Sequence, residues 1–88
     1  MGDVAVLFRL MPHGVETDLA EMAKAVRLAV PSGVTLRGLQ VKDIAYGLRS
    51  LLVSAVMPDT GGVLTAVEEA FARVPGVESV EVMEEGLL

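Results

Sequence analysis

The sequence predicts an α+β sandwich, in which two helices cover one face of a four-stranded antiparallel sheet. Segments with an apolar residue at every second position alternate with segments whose apolar residues recur every three or four positions. Short stretches that contain Gly and Pro separate these segments. The 88 residues leave room for a single domain, which we expect to cover residues 1–88.

The first half of the chain predicts a strand, a helix and a second strand. Apolar residues alternate through residues 4–11, which indicates a strand. Asp18 and Glu21 are spaced as in a capping box at the start of a helix. The apolar face of that helix is formed by Leu19, Met22, Ala23, Val26 and Val30. Residues 31–33, PSG, end the helix, and residues 34–43 predict a short or bulged strand because Gly38 interrupts the alternation.

The second half of the chain repeats this order as strand, helix and strand. Residues 48–57, LRSLLVSAVM, are apolar on both faces, which predicts a central strand. A second amphipathic helix follows the glycines at 61–62, and Val77, Val80 and Val82 form a last short strand before the tail EEGLL, which has no periodicity. Right-handed crossovers then give strand order 4-1-3-2 with both helices on one face, a ferredoxin-like βαββαβ fold.

Composition excludes several classes of function. The chain has no cysteine and a single histidine, His13, so neither a thiolate nor a histidine-based metal site is expected. A net charge of −5 argues against binding to a phosphate backbone, because such affinity depends on clustered Lys and Arg. No apolar run is long enough to span a membrane, and the N-terminal residues do not form a signal peptide. We therefore expect a cytoplasmic protein that contacts another protein, without direct binding to nucleic acid or membrane.

The sequence offers little for catalysis. Glu68 and Glu69 are adjacent on a helix, so their side chains point about 100° apart and do not form an acid/base pair. The glycines at 61–62 precede a helix but lack the lysine of a phosphate-binding loop. Phe8 and Phe71 fall on apolar faces and are expected in the core, which leaves no aromatic platform for stacking RNA bases. We expect no catalytic residues, no metal and no cofactor.

Tyr46 is the one aromatic residue that the core does not account for. It stands beside Gly47 at the predicted tip between the second and third strands, with Arg49 close by. One interpretation is that its ring caps the end of the sheet, half buried with a wet hydroxyl. The other is that a rigid aromatic next to an arginine anchors a protein interface. The local sequence favours neither.

A family resemblance favours the interface. Residues 44–51, IAYGLRSL, resemble the I-[AG]-[FY]-G-[LI]-K-x-L segment of the exchange factors of translation elongation, and the whole chain is similar to the archaeal elongation factor 1-beta family. Further matching stretches are MGDV at 1–4, MP at 11–12, DL at 18–19, PSG at 31–33, EEAF at 68–71 and VPGVESVEV at 74–82.

The resemblance implies a factor that binds the GTPase elongation factor 1-alpha and promotes exchange of GDP for GTP. It implies that the aromatic at Tyr46 reaches the GTPase, and we expect Ile44, Gly47 and Arg49 to be the other partner-binding residues. A basic residue near the C-terminus disturbs the magnesium site in eukaryotic relatives. The matching part of this chain reads EEGLL at residues 84–88, so the lysine that provides this basic group is missing here.

Another class of function fits the same fold. A regulatory module could dimerise through the open face of the sheet and bind a small ligand such as an amino acid. Leu7, Leu52 and Val56 would make that face unusually apolar. A purely structural subunit is a third possibility.

Overall fold

The elements of the protein follow the order that the sequence predicts. The structure is a computed structural model that describes residues 2–88. Its elements are β1 (Asp3–Pro12), α1 (Leu19–Ala29), β2 (Thr35–Ala45), β3 (Leu48–Pro58), α2 (Val63–Ala72) and β4 (Val77–Leu87). Met1, the first residue of the matching MGDV stretch, lies outside the described residues.

The strands form one antiparallel sheet in the order β2-β3-β1-β4, which is the predicted order read from the other edge. β1 and β3 are central, as expected from the apolar residues on both faces of β3. The helices pack on one face, so the prediction of a ferredoxin-like fold is confirmed. The other face of the sheet is called the open face below.

The core lies between the sheet and the two helices. Alternate residues of β1 and β3 point into it, because side chains of a strand alternate between faces. At its centre Phe8 and Phe71 are fully buried and meet edge to face, with ring centroids 5.2 Å apart and an interplanar angle of 86°. Both phenylalanines are therefore core residues, as predicted. The other fully buried large side chains include Leu10, Met22, Leu51, Met57, Val6, Val26, Val53 and Val67.

The start of α1 is fixed by a side chain. Asp18 Oδ1 accepts hydrogen bonds from the backbone N–H groups of Ala20, at 3.0 Å, and Glu21, at 3.1 Å. This is the N-cap that the sequence predicts. The Glu21 carboxylate lies 3.3 Å from Lys24 Nζ, and residues 2–88 show no return bond to Asp18. Only half of the predicted capping box therefore forms.

β4 is longer than predicted. The sequence predicts a last short strand before an aperiodic tail, yet residues 84–87 continue β4 and pair with β1, so that Leu87 lies opposite Val4 and Glu84 opposite Leu7. Phe8 lies opposite Val82, so Met83 is the extra residue of a β-bulge. The bulge inverts the alternation beyond it, which explains why the tail shows no simple period. β2 likewise extends past its predicted end to Ala45, with shifts in register on either side of Arg37 and Ile44.

Neither helix approaches the length of a membrane span. α1 has 11 residues and α2 has 10, and within residues 2–88 no helix has the length and apolarity that crossing a bilayer requires.

Candidate protein-interaction site

A two-residue turn joins β2 to β3 at one end of the sheet. Ala45 pairs with Leu48, so only Tyr46 and Gly47 lie outside the ladder. Both have a positive φ, 54° for Tyr46 and 81° for Gly47. Two positive φ values in a two-residue hairpin are those of a type I′ turn, whose twist matches that of the strands it joins. The chain therefore reverses here within the smallest loop that an antiparallel pair allows.

Tyr46 is held in a conformation that its side chain disfavours. Asn, Asp and Gly commonly occupy the first position of such a turn, because they tolerate a left-handed backbone. Within the part of the chain that the structure describes, Tyr46 is the only residue other than glycine with a positive φ. Its side chain is fully exposed. The interpretation in which the ring caps the sheet half buried is therefore wrong, and the ring projects from the tip into solvent.

Arg49 and Ile44 flank the turn. Arg49 lies directly opposite Asp43 across β2 and β3, and Ile44 is the bulge residue between the Asp43 and Ala45 pairs. Ile44 is 44% exposed, a large value for an apolar side chain on a strand. The Arg49 guanidinium is exposed and makes no ion pair with any carboxylate of residues 2–88. The four predicted site residues thus come together at one end of the sheet, and we call Ile44, Tyr46, Gly47 and Arg49 the tip.

The single histidine lies apart from the tip, at the end of β1. The His13 imidazole contacts the Glu78 carboxylate, with Nδ1 and Oε1 2.5 Å apart, and both side chains are more than half exposed. His13 is therefore a solvated loop residue. Among residues 2–88 no group of three or more His, Cys, Asp or Glu side chains is arranged to hold a metal ion.

The C-terminal residues lie at the opposite end of the sheet from the tip. β3 begins at Leu48 next to the turn and ends at Pro58, which pairs with Asp3. The Leu88 N–H donates to the Asp3 carbonyl at 2.9 Å. Ten steps along β3 correspond to roughly 33 Å, which is consistent with a longest molecular extent of 42 Å. A partner that touches both ends must therefore span most of the molecule.

A shallow groove runs from the tip across the open face. It has a volume of about 400 Å³ and is lined by Leu7, Leu52, Ile44 and Met83, with Lys42 and Glu84 among the polar residues of its rim. Leu7 and Leu52 were predicted for this face. Met83 was not predicted for this face, because the position of its β-bulge depends on how β4 pairs with β1. The one signal in the sequence is the break in alternation after Val80 and Val82.

Solved structures share the fold at low sequence identity. The ACT domain of a GTP pyrophosphokinase from Chlorobium tepidum superposes with a TM-score of 0.65 at 15% identity, and the match covers 92% of this chain and 99% of that chain. The C-terminal domain of the MgtC protein from Mycobacterium tuberculosis has a TM-score of 0.62 at 16% identity, with 99% and 88% coverage. At this level of identity the similarity concerns the fold alone.

Sequence relatives are much closer. The chain is 44% identical over 85 residues to elongation factor 1-beta of Methanosarcina acetivorans, which covers 96% of each chain. It is 43% identical over 88 residues to that of Halorubrum lacusprofundi, with full coverage of both chains. It is 42% identical over 86 residues to that of Methanococcoides burtonii, with 98% and 97% coverage. The sequence profile of the EF-1 guanine nucleotide exchange domain matches residues 5–87. The chain therefore belongs to this family, and its function is guanine nucleotide exchange in translation elongation.

Proposed function

We propose that residues 1–88 act as one exchange domain, which binds elongation factor 1-alpha and accelerates its release of GDP. The family description and the names of the relatives support this partner. In this proposal the domain works in the cytoplasm as a binding protein rather than an enzyme. It needs no cofactor and touches neither nucleic acid nor membrane directly.

The mechanism is a difference in binding affinity. The factor binds the nucleotide-free GTPase more tightly than the nucleotide-bound form, and linkage then requires that nucleotide affinity fall by the same factor. A coupling of about 5.5 kcal/mol corresponds to a weakening of roughly 10⁴-fold. No covalent bond forms or breaks on the factor, so surface shape and charge have to provide the whole effect.

The full exposure of Tyr46 is the observation that most directly supports the tip as the contact. A left-handed backbone costs an ordinary residue about 1–2 kcal/mol. In the free protein the exposed ring makes no packing contact that would offset this cost. Such strain is typical of functional positions. We assign Tyr46 as the anchor that enters the GTPase, with Gly47 closing the turn that presents it.

The other two tip residues complement the anchor. Arg49 has no ion pair within residues 2–88 and provides positive charge for an acidic group of the GTPase. Ile44 adds apolar area beside the ring. The proposal gives no role to a C-terminal lysine, because Glu84 and Glu85 stand in the last part of β4.

Release of a fluorescent GDP analogue from the cognate elongation factor 1-alpha tests the proposal, in excess unlabelled nucleotide and with substoichiometric factor. Wild-type protein should accelerate release with turnover, and Tyr46→Ala should lose about ten-fold or more of this stimulation. Leu28→Ala is the matched control, because Leu28 is an exposed apolar residue of α1 away from the tip. Equal stimulation by wild type and Tyr46→Ala would contradict the assignment of the tip. A rate of GDP release that the folded wild type leaves unchanged would contradict the exchange function.

The groove on the open face is the observation that supports the alternative function. In that alternative, the chain is a dimeric module that binds a small ligand. Its volume of about 400 Å³ is sufficient for a small molecule. The likeness to the ACT domain, at 15% identity, concerns only the fold. A dimer in solution whose melting temperature rises with an added amino acid would favour this alternative.

A further inference from the structure

Two β-bulges, one in each edge strand, place apolar side chains beside the same groove. Ile44 is the extra residue of β2 between the Asp43 and Ala45 pairs, and Met83 is the extra residue of β4 between the Val82 and Glu84 pairs. A bulge changes the direction of a side chain relative to the regular pleat and is common beside functional sites. Ile44 and Met83 both line the groove, and they are 44% and 45% exposed.

The groove has an apolar floor that neither helix covers. Leu7 of β1 and Leu52 of β3 lie on the open face, because their neighbours Phe8 and Val53 point into the core. Both leucines are half buried and both line the groove. An apolar strip of this kind on the surface of a small domain is typical of a site that another molecule covers.

The tip alone is too small to hold a stable complex. A specific protein interface buries about 800 Å² on each partner, which takes about 20–30 residues a side, whereas the tip has four residues. The remaining area has to come from surface that is continuous with the tip. The groove meets this requirement, because Ile44 belongs to both the tip and the groove lining.

The charged residues of the groove indicate the chemistry of the surface that fits it. Lys42 and Asp43 of β2 and Glu84 of β4 line it, and none of the three makes an ion pair within residues 2–88. Arg9 also lines it, but donates from Nη2 and Nε to Glu81 Oε1, at 2.6 and 3.0 Å. A matching surface therefore presents apolar side chains in the middle, with an acidic group towards Lys42 and basic groups towards Asp43 and Glu84.

We propose that elongation factor 1-alpha covers this groove, so that its contact runs from Tyr46 along Ile44 and over Leu7 and Leu52 to Met83. This inference rests on the proposed function and extends it from the tip to the open face. Another groove, of about 400 Å³, lies on the helical side and is lined by Ala25, Leu28, Ala70 and Pro75 among others. No tip residue lines it, so it offers the GTPase no surface continuous with Tyr46.

Met83→Asp tests the inference directly. Met83 is at a bulge and 45% exposed, so the change places a charge in the groove with little effect on the core. Affinity for the nucleotide-free GTPase should fall about ten-fold or more, with the melting temperature within about 4 °C of the wild type. Leu28→Asp is the matched control, because it places the same charge on α1 at a residue that is 89% exposed. The control should bind as the wild type does.

Methyl NMR of the unaltered protein provides a second measurement. Addition of nucleotide-free elongation factor 1-alpha should shift the methyl signals of Leu7, Leu52 and Met83 and leave those of Leu28 in place. Wild-type affinity of Met83→Asp, or equal losses in Met83→Asp and Leu28→Asp, would overturn the inference. Groove signals that change with protein concentration alone would assign the groove to a second copy of this chain and overturn it as well.

The outcomes separate the inference from the function on which it rests. If Tyr46→Ala loses exchange while Met83→Asp binds and exchanges normally, the exchange function stands and the groove inference is wrong. If the wild type neither binds the GTPase nor accelerates release of GDP, both are wrong.

Discussion

Tyr46 and Gly47 occupy the two central positions of one turn, with φ of 54° and 81°, and the strained residue of the pair is the exposed aromatic. Gly47 adopts this conformation without cost, whereas a tyrosine does not. The backbone conformation of Tyr46, the residue that we assign to partner binding, therefore lowers the stability of the free protein.

Tyr46→Asn should separate stability from exchange. Asparagine is favoured at the first position of a type I′ turn, so the free energy of unfolding should rise by about 0.5–1 kcal/mol. Stimulation of GDP release should fall about ten-fold or more, because the ring is lost. Chemical denaturation and the release assay on the same preparation measure both effects. A more stable variant that exchanges normally would show that the tyrosine is dispensable.

Gly47→Ala should destabilise the protein through the backbone alone. A Cβ at Gly47 would have no heavy atom within 4 Å, so no clash contributes, but the φ of 81° disfavours alanine by about 1 kcal/mol. Gly38→Ala is the control, since its Cβ also meets nothing within 4 Å and its φ is not positive. Denaturation midpoints compare the two, and a loss at Gly38 as large as at Gly47 would contradict the assignment of the cost to φ.

Most of the fold follows from local patterns of the sequence. Alternation in residues 4–11 and 48–57 and the helical spacing around Met22 and Phe71 predict four strands, two helices and the buried phenylalanines. The bulges at Ile44 and Met83 are not predictable in this way, because each depends on which hydrogen bonds a neighbouring strand offers. The predicted end of β4 was wrong for this reason, since the bulge at Met83 hides the alternation of the residues after it.

The candidate site was predictable in part. Tyr46 stood out because a lone tyrosine beside a glycine contributes little to a core. Its positive φ and full exposure depend on the pairing of Ala45 with Leu48, which shortens the loop to two residues. The groove depends on the β4–β1 register, so the sequence indicated its floor at Leu7 and Leu52 but not its wall at Met83.

Arg49→Gln should slow association with the GTPase without changing stability. The guanidinium makes no ion pair within residues 2–88, so its removal should change the free energy of unfolding by less than about 0.5 kcal/mol. Loss of its charge should reduce the association rate several-fold at low salt, by up to about ten-fold, and less as salt is added. Stopped-flow binding across a salt series measures this. Arg37→Gln, at the bulge away from the tip, is the control, and an equal slowing there would indicate only a net-charge effect.

Phe8 and Phe71 should be energetically coupled, because their buried rings meet edge to face at 5.2 Å. Phe8→Leu and Phe71→Leu each remove an aromatic ring from the core, and the double variant should lose less stability than the sum of the two. The difference should be about 0.5–1.5 kcal/mol, the usual value for such an aromatic pair. Urea denaturation of the four proteins gives the coupling, and losses that add within about 0.3 kcal/mol would contradict it. Variants that stay folded should retain exchange, because neither ring lies at the tip.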